Sequence, residues 1–220
     1  MILQIPAILS QDELNSLRAE LARASFEDGA ATAGHIARSV KRNLQVPQNS
    51  EAARKCAAIV MNALQRNAVF FSAALPHRLH GPLFNRYEPG MTYGEHVDNA
   101  LMGSPAAVRS DVSATLFLSS EDEYEGGELV VQDGQAIKLP AGSMVLYPAT
   151  SAHRVAPIRS GTRLAAVVWI QRLVRDQMRR RLLFELDMSL GALREKLPAA
   201  PELNTLAGVY HNLLREWAET

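Results

Sequence analysis

Apolar side chains recur at helical spacing near both ends of the chain and at strand spacing in between. Ser10-Gln11-Asp12-Glu13 has the form of a capping box, and Leu14, Leu17 and Leu21 follow it, which predicts a helix from Ser10 ending between Ala24 and Gly29. A second helix is predicted over 50–65, with Ala53, Ala57, Val60 and Leu64 inward. From about Val69 to Gln171 the texture becomes short runs of Val, Leu, Phe and Tyr broken by Gly and Pro. Eight strands are predicted, over 82–87, 94–97, 111–118, 127–132, 135–139, 144–147, 153–156 and 164–171, with a tight turn at Asp133-Gly134. Helical periodicity returns over 175–186 and 202–218, where Leu206, Val209, Tyr210, Leu213, Leu214 and Trp217 form an apolar face. The pattern predicts an α+β protein: a jelly-roll core buttressed by N-terminal helices, with a short C-terminal helical extension. The expected division is 1–174, with its central part about 78–172, and 175–220.

Composition changes this picture little. At 220 residues, with 47% hydrophobic and 21% charged side chains, the chain has the makeup of a globular protein with one principal core. Basic and acidic residues number 23 each, so no global field attracts nucleic acid or anionic lipid, and neither partner is expected. The single cysteine, Cys56, excludes an intrachain disulfide framework and fits a reducing, cytoplasmic setting. Met1 to Pro6 lacks the basic region, long apolar run and cleavage site of a leader and reads as a first strand. Arg179-Arg180-Arg181 reads as a solvated or ion-paired helix face.

The candidate chemistry begins with His96-Val97-Asp98. Residues i and i+2 of a strand point the same way, so one imidazole and one carboxylate converge. His153 follows Asp98 after 54 intervening residues, on a later strand. Two His and one carboxylate on one face are the facial triad of non-haem Fe(II) oxygenases, which leaves coordination positions open. Alone, His-x-Asp is a weak signal. It gains weight from Arg163, ten residues beyond His153 at the edge of the apolar strand Leu164-Ala165-Ala166-Val167-Val168-Trp169. A guanidinium there needs an anion, and its planar fork suits a carboxylate such as the distal one of 2-oxoglutarate. His, Asp and His also suit a zinc hydrolase, but that chemistry has no use for Arg163 and no general base stands out for it.

The stretch Leu83-Phe84-Asn85-Arg86-Tyr87-Glu88-Pro89-Gly90-Met91-Thr92-Tyr93-Gly94-Glu95-His96-Val97-Asp98-Asn99 resembles the bacterial PKHD-type hydroxylases, relatives of prolyl hydroxylases that include the iron-uptake-associated PiuC group. Val40-Lys41-Arg42-Asn43-Leu44-Gln45, Ser72-Ala73-Ala74-Leu75-Pro76, Ser113-Ala114-Thr115-Leu116-Phe117-Leu118, Gly126-Gly127-Glu128-Leu129 and His211-Asn212-Leu213-Leu214-Arg215 are similar to that family's segments, so the likeness covers nearly the whole chain. The resemblance implies a double-stranded β-helix and a dioxygenase that couples oxidative decarboxylation of 2-oxoglutarate to hydroxylation. It implies Fe(II) on His96, Asp98 and His153, 2-oxoglutarate on Arg163, molecular oxygen as a reactant and L-ascorbate as a candidate requirement. Where several prolyl hydroxylases present a tyrosine hydroxyl to 2-oxoglutarate, this chain has Phe117 or its neighbours, which leaves Tyr87, Thr115 or Asn85 as candidates for that second contact. The substrate is open between a small molecule and a peptidyl group, and the iron-uptake association tilts it toward a siderophore-like molecule. A non-catalytic iron or 2-oxoglutarate sensor acting through the C-terminal helices is the alternative, and the last helix offers a face for a homo-oligomer.

Several other residues carry weaker expectations. His77 and His80, beside Pro76, read as exposed loop histidines, and His35 and His211 lie outside the barrel pattern. Asn43 and Gln45 either line a substrate cleft or hydrogen-bond a strand edge. The connection 99–111 has the length of a functional lid, on which Arg109 is placed to meet a substrate carboxylate. Tyr147 and Trp169 read as core aromatics.

Overall fold

A computed structural model describes residues 1–32, 37–103, 106–132 and 134–219. The N-terminal part runs β1 Leu3–Ile5, α1 Gln11–Arg23, β2 Glu27–Asp28, 3-10 turns at Gly29–Thr32 and Ala37–Val40, β3 Lys41–Arg42, β4 Leu44–Gln45, α2 Glu51–Arg66 and α3 Ala68–Ala74. The middle comprises β5 Pro76–Tyr87, β6 Thr92–His96, β7 Leu101–Met102, β8 Val108–Arg109, β9 Val112–Phe117, β10 Tyr124–Gly126, β11 Leu129–Val131, β12 Gln135–Ile137, β13 Met144–Pro148, β14 His153–Val155, β15 Ile158–Gly161 and β16 Arg163–Arg172. α4 Gln177–Lys196 and α5 Glu202–Trp217 complete it.

Two antiparallel sheets form the jelly roll. The larger has the order β1-β13-β9-β16-β5-β4-β2 and the smaller β12-β11-β14-β6-β3. Strand alternation divides the large sheet's side chains between two cores. Phe84, Ala114, Leu116, Met144, Leu146, Ala166, Val168 and Ile170 face α1, α2 and α3, where they meet Leu17, Leu21, Val60 and Phe70. Their neighbours Tyr87, Phe117, Val145 and Tyr147 face the smaller sheet and pack on Leu129, Val131 and Val155. The odd-numbered positions Arg163, Val167 and Trp169 of β16 lie on that inner side, where the sheets open into a cavity. At the other end, α4 and α5 close on each other and on Leu75 through Val174, Leu183, Leu190, Leu203 and Tyr210. Backbone bonds from Leu173 N–H to Leu75 O (2.8 Å) and from Glu219 N–H to Leu173 O (2.7 Å) tie this hairpin to the barrel.

The first helix starts as expected: Ser10 accepts from Glu13 N–H, and the Glu13 carboxylate accepts from Ser10 N–H, a full capping box. Three local expectations are corrected. Residues 68–74 are helical rather than part of the strand region, because the Asn67 side chain caps Phe70 N–H and Phe70, Ala73 and Ala74 recur at i, i+3, i+4 toward the core. β5 begins at Pro76, so His77 and His80 lie on a strand rather than in a loop. α4 runs ten residues beyond its expected end at 186, stabilised in part by Arg181–Glu185 pairing at i,i+4. His35 and Asp133 lie outside the described residues, although β11 and β12 pair as the expected hairpin, Val131 opposite Gln135. Among the described residues no helix is long and apolar enough to cross a membrane.

Candidate metal centre and its cavity

Strand pairing brings the two histidines together. His153 on β14 stands directly opposite His96 on β6, and their rings lie 4.3 Å apart between centroids. β6 ends at His96, so Asp98 sits two residues past the strand rather than on it. The alternation persists there: Val97 is 51% exposed, whereas the His96 and Asp98 side chains are 5% and 7% exposed. Asp98 Oδ1 lies 4.0 Å from His96 Nε2 and Oδ2 lies 3.8 Å from His153 Nε2, with all three donor groups inside 4.8 Å of one another. Metal–ligand bonds of about 2.0–2.2 Å put donors at adjacent positions on one ion about 3 Å apart, so this set closes on a single cation when the three groups draw together by about an ångström or somewhat more.

The imidazoles are oriented for that role. His96 Nδ1–H donates to Gly94 O at 2.8 Å and His153 Nδ1–H donates to Ser151 O at 3.0 Å; a carbonyl only accepts, which leaves both Nε2 lone pairs facing Asp98. Burial, and then the neighbouring His153, push the His96 imidazole down to about 4, so it is neutral at neutral pH and ready to ligate. Tyr93 stacks on His96 at 3.6 Å, and Tyr147 meets His153 edge-on at 5.0 Å, fixing both ring planes.

Ser113, fully buried on β9, donates its hydroxyl proton to Asp98 Oδ2 and so aims the carboxylate. Losing an outer partner of this kind typically costs roughly 10–100-fold in metal affinity. We expect that loss in Ser113→Ala, read by titrating Fe(II) under nitrogen. Unchanged affinity would mean that Asp98 is held in place without Ser113.

Arg163 opens β16 opposite Tyr87 and is 2% exposed. Its guanidinium lies 5.3 Å from the Tyr87 ring and 5.4 Å from the Phe117 ring, and Nε and Nη2 hydrogen-bond to nothing among the described residues. Gly127 (φ +67°) makes room for it: a Cβ there would stand 3.0 Å from Arg163 Cδ and 2.4 Å from Ile158 Cδ1. A buried guanidinium with two donor nitrogens free is the complement of a planar carboxylate.

The triad and Arg163 share one cavity of about 300 Å³. Tyr87, Thr115 and Asn85 all line it, but they differ in what they offer. Asn85 is committed: Oδ1 accepts from Asn43 (2.9 Å) and Gln45 (2.7 Å), and Nδ2 donates to Leu83 O (3.0 Å). Thr115 Oγ1 lies 3.4 Å from Tyr147 OH, which brings a tyrosine hydroxyl to this wall from β13, one strand over from Phe117. Tyr147 and Trp169, read as core aromatics, therefore both face the cavity, as does His80, 5.8 Å from the Trp169 ring. Arg109 is turned away: its guanidinium forms a bidentate pair with Asp111 at 2.7 and 2.9 Å. The connection 99–111 still contributes Asn99, Leu101, Met102 and Gly103 to the wall, while its positions 104 and 105 lie outside the described residues. The sequence did not single out Ser113, Tyr93 or Lys41, which all reach this site or its rim; only the cross-strand register reveals them.

Residues 82–171 match the 2OG-Fe(II) oxygenase superfamily, and residues 176–219 match the PKHD-type hydroxylase C-terminal domain. The chain is 52% identical over 227 residues to a PKHD-type hydroxylase of Xanthomonas axonopodis pv. citri, covering 100% of both sequences. It is 52% identical over 225 residues to a PKHD-type hydroxylase of Hyphomonas neptunium, again over 100% of both. Among solved structures, a Pseudomonas putida prolyl-4-hydroxylase superposes with a TM-score of 0.55 at 21% identity, covering 78% of this chain and 92% of that one, a likeness of fold.

Proposed function

The chain belongs to the PKHD-type hydroxylases and is thus an enzyme of the 2-oxoglutarate-dependent dioxygenase type, and from that premise we propose that His96, Asp98 and His153 hold its Fe(II) and that Arg163 anchors 2-oxoglutarate by its distal carboxylate. The observation that carries this assignment is the pairing, in one cavity, of three converging metal donors with a buried guanidinium whose Nε and Nη2 lack partners. When bound, iron and 2-oxoglutarate supply the oxidising chemistry, in which oxygen is consumed, 2-oxoglutarate becomes succinate and carbon dioxide, and a substrate C–H bond is hydroxylated.

The protein's own residues position and shield. Gly94 O and Ser151 O keep the histidines in the ligating tautomer, Ser113 aims Asp98, and the Tyr87 and Phe117 rings hold Arg163 away from water, which strengthens its attraction for a carboxylate. Thr115 with Tyr147 is the hydroxyl pair best placed for a second co-substrate contact, ahead of Tyr87, while Asn85 serves the amide network beside it. In this reading residues 1–174 form the catalytic unit and 175–220 brace it from outside. A substrate from iron acquisition is the first class to try, in a cytoplasmic setting, with L-ascorbate supplied as reductant. Full-length relatives named hydroxylases give the sensor alternative no support.

The test is oxygen-dependent formation of succinate from 2-oxoglutarate by anaerobically iron-loaded protein, alone and with candidate substrates. Iron-dependent succinate is the expected result, and failure to bind both iron and 2-oxoglutarate would overturn the assignment.

A further inference from the structure

One group on the cavity wall has no part in the reaction as described so far. Lys41, on β3, is 7% exposed and stands directly opposite Tyr93 on β6, the strand that ends at His96. Tyr93 lies three positions before His96 on β6, so Lys41 sits one strand beyond the histidine-bearing strand and lines the same cavity as the triad. Nζ lies 5.3 Å from the Tyr93 ring, the ring that stacks on His96.

Its fixed partner is a hydroxyl. Lys41 Nζ donates to Thr32 Oγ1 at 3.0 Å, Thr32 donates in turn to Gln45 Oε1, and Gln45 Nε2 donates to Asn85 Oδ1. Every proton in this relay points away from the lysine, so the chain orients the ammonium without neutralising it. Gly29 lets the Thr32 turn approach closely enough, since a Cβ there would stand 2.0 Å from Asn43 Oδ1. An ammonium carries three donors, and among the described residues no carboxylate pairs with Lys41. The acidic groups that face it at longer range are Asp28 and Asp98; burial outweighs them and lowers the amine to about 8, leaving it charged at neutral pH.

Charge balance identifies what is missing. Fe(II) and Arg163 are balanced by Asp98 and the two carboxylates of 2-oxoglutarate, so the loaded centre is neutral and Lys41 adds a positive charge that Asp28 faces only at longer range. A buried cation of this kind is stabilised by an anion brought into contact with it. A single ammonium suits a compact monoanion rather than a phosphate, which would call for more donors. Met102, Val167 and Trp169 line the same cavity and offer an apolar surface to the rest of such a molecule.

We propose that Lys41, held by Thr32 and backed by Tyr93, selects the substrate, and that the substrate is a small organic acid that sets its carboxylate on this ammonium beside the metal centre. The proposal rests on the site assignment above and names its substrate class. Lys41 is a specificity residue here, distinct from Arg163, which serves the co-substrate.

The probe is a matched pair, hexanoate and hexanamide, titrated calorimetrically under nitrogen into protein loaded with Fe(II) and saturating 2-oxoglutarate. Hexanoate is expected to bind saturably without displacing 2-oxoglutarate, and roughly tenfold or more tightly than the neutral amide, as befits a hydrogen bond to a charged group. Lys41→Met and Lys41→Gln should each erase that preference, Lys41→Arg should retain part of it, and 2-oxoglutarate affinity should stay within about twofold, the scale expected of a group that does not touch it. Thr32→Val, which leaves the lysine but removes its tether, should weaken hexanoate by a smaller factor. Equal binding of acid and amide by the wild-type protein, or displacement of 2-oxoglutarate by hexanoate, would overturn the proposal without need of any variant. A loss of 2-oxoglutarate affinity in Lys41→Met as large as in Arg163→Ala would also overturn it, by giving the lysine to the co-substrate. If the wild-type protein does not hold 2-oxoglutarate in the presence of Fe(II), the underlying site assignment fails instead, and that is seen before any acid is added.

Discussion

Asp98→Ala is expected to lose at least about 100-fold in Fe(II) affinity and nearly all succinate formation, because removing a ligand exceeds the roughly 10–100-fold cost of removing one of its outer partners. The remaining pair, His96 and His153, presents two imidazole donors and no negative charge to offset that of the cation. The variant also strands the Ser113 hydroxyl at a fully buried position, which costs about 1–3 kcal/mol of stability through an unmet donor. Asp98→Asn separates the two effects. It keeps the shape and an acceptor for Ser113 while discarding the charge, so it should fold like the wild type and still bind iron poorly. Retained turnover in a folded Asp98→Ala protein would sink the metal assignment. Normal iron binding in Asp98→Asn would show that the carboxylate's charge is not what holds the ion.

Much of this site was legible in the sequence because its geometry is local or repeats with a short period. His96 and Asp98 share a face by strand alternation, and the capping box and the Leu14, Leu17, Leu21 stripe fix the first helix from a dozen residues. Arg163 stood out because a guanidinium bordering so apolar a strand demands an explanation. The jelly roll followed from short runs punctuated by Gly and Pro, although sixteen strands are present among the described residues where nine were expected, the N-terminal one included. The extra ones are mostly two- or three-residue pairings such as β3 and β4, too short for any periodicity to mark them.

What escaped the sequence depends on register between distant segments. Ser113 reaches Asp98 because β9 lies across the cavity, and Lys41 reaches the cavity wall through its pairing with Tyr93, 52 positions away. Tyr147 shows the same effect. Its alternation marks it as inward, but whether inward means core or cavity is decided by where the two sheets diverge. The expectation for Arg109 failed for a simpler reason: Asp111, two residues on, offers a bidentate partner on the same edge. A nearby carboxylate outcompetes a more distant one of the same charge, since the attraction falls with separation.

The same reasoning applied to Arg163 gives the second large effect. Arg163→Ala should raise the 2-oxoglutarate concentration required for turnover by a factor corresponding to about 2–5 kcal/mol, the usual cost of truncating one side of a buried charge pair, or roughly 30-fold to several thousand-fold. Fe(II) affinity should be nearly unchanged, because the guanidinium is not among the converging metal donors. Stability supplies a readout that does not depend on catalysis. In the ligand-free protein Arg163 is a charge 2% exposed whose Nε and Nη2 lack hydrogen-bond partners, so replacing it by an apolar side chain of similar length removes an unfavourable group. Arg163→Met without 2-oxoglutarate should therefore melt at or above the wild-type temperature. Adding 2-oxoglutarate at about 100 times its Kd with an inert divalent metal should stabilise the wild type by about 2.7 kcal/mol and the variant far less. A variant that melts well below the wild type, yet gains as much from the co-substrate, would show that Arg163 braces the barrel and that the carboxylate is held elsewhere.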